Sequence, residues 1–184
     1  MEESTKKTLL GEAIKTGALL GIISIILMMI FYIVDVTMLG GWQLILVSLI
    51  ISFFIVIKFG KKYRNEETEE GFMAFGEAFK FSFSTFFISS IVVMVFTILL
   101  YEVIDPELPK IITDKAMSNA ESMLEGLGMD SEAIDEALIQ TEKNMEGQFT
   151  AMGILSGSWA YIISSAILGA IAAAFIKKKK PEFE

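Results

Sequence analysis

The sequence predicts an all-α membrane protein: a polytopic four-helix transmembrane bundle with an extracytoplasmic helical hairpin between its third and fourth spans. Three observations carry this. Hydrophobic residues make up 53% of a 184-residue chain whose mean hydropathy is +0.59. They fall in long unbroken blocks, without the alternation of a half-buried strand. Lysine and arginine gather on one side of those blocks, as the orientation rule for membrane proteins demands.

A helix needs about 20 mostly apolar residues to cross a hydrocarbon core. Four blocks meet that length, at about residues 13–34, 40–59, 81–101 and 151–176, within a single integral membrane domain covering 1–184. The first follows a short basic head, yet it is longer than a signal-peptide core and no small-x-small cleavage site follows it, so it reads as a span. Only Asp35 to Leu39 separates the first two blocks, which makes them a tight antiparallel hairpin.

Orientation follows from the basic residues. With the N-terminus inside, the inner face holds Lys6, Lys7, Lys15, Lys58, Lys61, Lys62, Arg64, Lys80 and Lys177, Lys178, Lys179 and Lys180, twelve of the fifteen. The outer face keeps Lys110, Lys115 and Lys143. Both termini are therefore expected in the cytoplasm. Residues 102–150 carry twelve acidic side chains against those three lysines, so most of the net charge of −8 lies outside. Such an acidic surface argues against a nucleic acid partner. The run Lys177 to Lys180 is expected to anchor on anionic lipid headgroups, at about 1 kcal/mol per lysine near the surface.

The third span is approached through a phenylalanine-rich stretch. At 100° per residue, Phe72, Phe75, Phe79, Phe83 and Phe86 share one helix face, with Gly76 among them and Phe81 opposite. Glu77 and Lys80 lie on the other face, close enough in register to pair. The pattern predicts an amphipathic lead-in resting at the interface before the chain enters the membrane. Two readings of the stripe stand side by side: aromatic packing at the membrane boundary, or a groove for a lipid chain or a partner helix.

Gly71 to Phe81 reads G-F-M-A-F-G-E-A-F-K-F, and Tyr101 to Glu107 reads Y-E-V-I-D-P-E. With a preceding helical hairpin, these segments resemble a family of small four-span bacterial membrane proteins catalogued as a domain of unknown function. The resemblance extends from about residue 10 to residue 178. It implies a bacterial cytoplasmic (inner) membrane location and brings no established activity, cofactor or catalytic residue.

Asp105 precedes Pro106, and a residue before proline is pushed out of the α region, so the third helix should stop near Ile104. Pro106 and Pro109 can open a new helix. Apolar positions at three- and four-residue steps then predict one helix from Pro109 to Leu124 and a second carrying Ile134, Leu138, Met145 and Phe149. Gly126 and Gly128 separate them, and Asp130 or Ser131 caps the second. The hairpin is read either as a partner-docking surface or as a solvated lid. Asp35, Glu102 and Asp105 form a candidate acidic cluster at that level, although no calcium-type ligand loop is present.

Small residues at four-residue steps let membrane helices approach closely. The first span offers Gly17, Gly21 and Ser24; the fourth offers Gly153, Gly157, Ser165 and Gly169. The first and fourth spans are expected to touch through them, the alternatives being contact with a second copy or another protein.

The chain has no cysteine and no histidine. This removes thiolate nucleophiles, sulfur-ligated metals and the usual general base. No ionisable side chain lies deep in any predicted span, against a transporter or proton relay. No catalytic, cofactor-binding or metal-ligating residue is expected, and no cofactor. The expected partners are membrane lipid together with an envelope protein or a second copy in a homo-oligomer. The leading function is a non-enzymatic accessory or assembly subunit that presents its acidic outer hairpin to an envelope partner. The alternative is a lipid- or hydrophobe-binding membrane protein or homo-oligomeric pore, and a membrane enzyme comes third.

Overall fold

The computed structural model describes residues 8–145 and 147–180; Lys6 and Lys7 of the basic head lie outside them. It is helical nearly throughout, in the order α1 (Leu9–Val34), a 3-10 turn (Val36–Gly40), α2 (Trp42–Glu67), α3 (Phe75–Leu99), a π-helical turn (Leu100–Ile104), α4 (Leu108–Gly126), α5 (Ser131–Met145), α6 (Ala151–Ser156) and α7 (Trp159–Ile176). Four stretches are long and apolar enough to cross a membrane: Leu9–Val34, Trp42–Glu67, Phe75–Ile104 and Trp159–Ile176. The fold is a four-helix transmembrane bundle.

The chain forms two compact units. The first comprises Met1–Ile25, Val47–Val93 and Trp159–Glu184. In it α3 is the central helix, because the other three each press on it. Phe81 is fully buried and stacks on Tyr63 of α2, with ring centroids 5.9 Å apart. Phe86 meets Phe53 of α2 edge-on. From α1, a side chain at Gly17 would strike the Thr85 carbonyl oxygen and Ile88, and one at Gly21 would strike Val92. From α7, Gly169 lies against the backbone of Phe83. The glycine faces of the first and fourth spans thus serve α3, where the sequence suggests contact between those two spans. Glycine is needed at Gly17 and Gly169 because only a missing Cβ lets the helix come so close to the backbone of α3, and at Gly21 because Val92 fills the space.

Three buried hydroxyls in this unit bond to helix carbonyls, the ordinary way to satisfy them in an apolar core. Thr16 donates to Glu12 O, Ser82 to Ala78 O and Thr85 to Phe81 O, at 2.8–2.9 Å. Thr85 also reaches Ala13 O of α1 at 3.4 Å.

The second unit comprises Ile26–Leu46 and Met94–Ser158. Its small core holds Leu100, Leu108 and Ile112, with Met28, Tyr32, Val36, Leu39, Phe96, Tyr101 and Phe149 packed around them. The α4–α5 hairpin turns at Gly128, whose φ of 75° is left-handed and suits glycine. The Asp130 carboxylate then accepts the Ala133 N–H at 2.9 Å and caps α5.

Two further sequence expectations change. The apolar pattern starts the fourth span at Ala151, but the helix breaks after Ser156 and restarts at Trp159. Ser156, Gly157 and Ser158 are all weak helix formers, and the Gly157 N–H closes a turn on Gly153 O. The aromatic lead-in forms the first turns of α3 itself, which runs unbroken from Phe75. Glu77 does not pair with Lys80; it accepts the Ala74 N–H at 3.0 Å, because a helix start leaves backbone donors unsatisfied.

Candidate functional site

The features that stand apart from bundle packing lie in the second unit, where the third span ends. After Leu99 the helix widens into a π turn, closed by the Asp105 N–H on Leu100 O at 2.8 Å. Such insertions are rare in helices and recur at functional sites. Asp105 leaves the helical region (φ −143°, ψ 82°) as Pro106 requires. Its carboxylate accepts the Tyr32 hydroxyl at 2.9 Å and the Glu107 N–H at 3.3 Å.

The π turn carries Tyr101 and Glu102. Glu102 accepts the Ala151 N–H at 2.9 Å, and Thr150 accepts the Gly153 N–H at 3.0 Å, so both hold the start of α6. Tyr101 meets Phe149 edge-on with centroids 5.7 Å apart. Above this aromatic pair opens a cleft of about 640 Å³, bounded by Pro109, Lys110 and Thr113 of α4 and by Ile139, Glu142, Lys143 and Met145 of α5.

The acidic residues at this level have separate partners. Asp35 accepts the Thr37 hydroxyl at 2.8 Å and the Thr37 N–H at 2.9 Å. These bonds hold its carboxyl below the ordinary aspartate range, and the Lys115 ammonium adds to the effect. With Glu102 bonded to α6 and Asp105 to Tyr32, the three acids do not converge. Among the described residues no three acidic side chains come together in a metal-holding arrangement.

The aromatic stripe divides. Phe75, Phe79, Phe83 and Phe87 stack in a ladder with centroid steps of 6.4, 5.9 and 5.9 Å. Phe86, which the helical register puts on this stripe, belongs to the core with Phe81. Phe72 lies before the helix, and Lys178 sits 5.1 Å from its ring centroid.

The basic tail is pinned. Met73 and Lys178 exchange backbone hydrogen bonds of 2.9 and 3.0 Å, and Lys177 lies over the Phe75 ring at 5.6 Å. Arg64 of α2 donates to Ile176 O at 2.6 Å, capping the end of α7. Lys179 and Lys180 extend beyond this clamp, exposed.

Of the predicted packing residues, Gly17, Gly21 and Gly169 lie at helix contacts and Ser165 is buried on α7. Ser24 is half-buried on α1, and Gly153 and Gly157 belong to α6 and the break after it. Nothing in the sequence marks Lys110, Lys143, Tyr101 and Phe149 as one site, because their meeting depends on how the hairpin folds back.

Four membrane-length apolar helices define a multi-pass membrane protein. More narrowly, the chain belongs to the family described as "Protein of unknown function (DUF4199)", whose profile matches residues 15–178. No curated protein and no solved structure matches it significantly.

Proposed function

We propose that this protein is a non-enzymatic accessory or assembly subunit of the bacterial inner membrane, holding an acidic helical hairpin outside the cytoplasm for an envelope protein partner. The observation that carries the reading is the hairpin tip. Met123 and Leu127 are 67% and 68% exposed, Met129 follows them across the Gly128 turn, and the exposed Glu121, Glu125, Asp130 and Glu132 flank them in sequence. A charged helix face alone is ordinary solvated surface, whereas exposed apolar side chains interspersed with acidic ones at a turn suit a partner with an apolar notch edged by lysine or arginine. The segregation of basic residues supports a tip outside and both termini inside.

A second reading, a lipid- or hydrophobe-binding protein or homo-oligomeric pore, draws on the phenylalanine ladder, whose first ring is exposed.

The test is purification of a tagged chain from native membranes in mild detergent, with mass spectrometry of all retained protein and lipid. The proposal expects a stoichiometric protein that is lost from the Met123→Ser/Leu127→Ser variant. An enriched lipid without any protein contradicts it and favours the second reading. Because the native chain has no cysteine, orientation is read separately from a single Leu127→Cys or Asn65→Cys substitution. An impermeant maleimide should label the first and spare the second in cells with a permeabilised outer membrane.

A further inference from the structure

The cleft at the foot of the hairpin has the composition of a ligand site. We propose that it binds a zwitterionic phosphodiester of the glycerophosphoethanolamine type, with the phosphate held by Lys110 and Lys143 and the ammonium directed to Glu142. The inference is independent of partner docking at the hairpin tip.

Size comes first. About 640 Å³ lies inside the range of small-ligand sites, roughly 300–1,000 Å³. The polar groups come next. Residues 102–150 contain only three lysines among twelve acidic residues, yet two of the three line this one cleft, from different helices. Among the described residues neither ammonium has an ion-pair partner, and Glu142 accepts no hydrogen bond, whereas Glu102 is committed to Ala151. Among the described residues that line the cleft, the charges without a bonded partner are therefore two positive and one negative. A phosphate uses the two lysines as charge-assisted donors, and a primary ammonium answers the carboxylate. Tyr101 and Phe149 form an apolar floor suited to a glycerol backbone.

Position points to a membrane lipid as the source. The cleft is built on the final turn of the third span. In the same unit Ile33, Val34, Trp42, Val103 and Ile104 all expose apolar side chains. A band of exposed aliphatic residues with a tryptophan marks the boundary between acyl chains and water, which is where headgroups lie. A soluble glycerophosphodiester presents the same chemistry.

The experiment reconstitutes the full chain in nanodiscs containing equal parts phosphatidylethanolamine, phosphatidylglycerol and phosphatidylcholine, and counts retained lipids by native mass spectrometry. Phosphatidylethanolamine should be retained over phosphatidylcholine, whose trimethylammonium offers Glu142 no N–H. Retention should fall about fivefold for each lysine removed in Lys110→Gln and Lys143→Gln, the effect of one basic residue at a membrane surface. Glu142→Gln should erase the preference over phosphatidylcholine, and Lys115→Gln, outside the cleft, should change nothing. All four side chains are exposed, and circular dichroism checks that the variants fold. Equal retention of the three lipids, or retention unchanged in the double lysine variant, overturns the proposal. Calorimetry with soluble glycerophosphoethanolamine distinguishes the source: lysine-dependent binding there without lipid retention keeps the recognition chemistry and overturns the lipid as its source.

Discussion

The Tyr32 hydroxyl, near the end of α1, donates a 2.9 Å hydrogen bond to the carboxylate of Asp105, the residue that ends the third span. The same aspartate closes the π turn through its N–H and accepts the Glu107 N–H. One side chain thus ties the first helix to the point where the chain turns into the hairpin.

Removing the tether should loosen the hairpin segment. In Tyr32→Phe the ring remains and the bond is lost, so limited proteolysis should cut within residues 105–150 faster than in the wild type. Asp105→Asn should act in the same direction, because a neutral amide accepts more weakly than a carboxylate. Unchanged cutting in both variants would show that the bond does not hold the segment.

Glycine positions separate contact from accident. Gly17→Ala puts a methyl group against the Thr85 carbonyl oxygen and Ile88 Cβ, at 2.7 and 2.8 Å, where backbone must move. We expect a loss of about 1–3 kcal/mol, the usual cost of overpacking. Gly76 is helical with open space around it, so Gly76→Ala should be neutral or gain up to about 1 kcal/mol from helix propensity. Thermal unfolding in one detergent compares the two directly.

These contrasts mark the reach of sequence alone. The spans are plain in it because 20-residue apolar blocks have few other uses, and the hairpin because its glycines and apolar steps mark two helices. The partner of each small-residue face is not, since a wheel gives angles on one helix and no neighbour. The same limit explains the phenylalanines. Exact four-residue steps from Phe75 to Phe87 stack the rings, whereas Phe81, alone on its face by helical register, turns to the core because Tyr63 waits there. Gly153 and Gly157 match a packing motif, but serines beside Gly157 make it a break. The cleft lysines are scattered charges along the chain until the hairpin brings them to one opening.

Asp35 supplies a pH dependence whose sign is fixed. Its bonds to Thr37 lower the folded-state pKa below the unfolded value of about 3.9. The stabilisation is therefore present above roughly pH 4 and is lost as pH falls through the lower folded value. Thr37→Val removes the hydroxyl donor and should move the Asp35 midpoint upward in a carboxyl NMR titration, narrowing the stability difference between pH 3 and pH 5 (roughly the span on either side of the unfolded value).

The tail clamp is tested by hydrogen exchange. Arg64→Ala frees the last carbonyl of α7, and the paired amides of Met73 and Lys178 should then exchange faster. Amides in mid-α4 should be unaffected. Equal protection at Met73 in variant and wild type would place the hold on the tail in the backbone pair and the Phe72 and Phe75 rings alone.

The central claim, a hairpin held out for a protein partner, is tested most directly at its tip. A photo-crosslinking amino acid at Leu127, irradiated in intact cells, should give one discrete adduct with another protein, while the same group at Ile163, exposed on α7, should give lipid adducts only. Lipid alone, self-adducts alone or no adduct at Leu127 would contradict the claim.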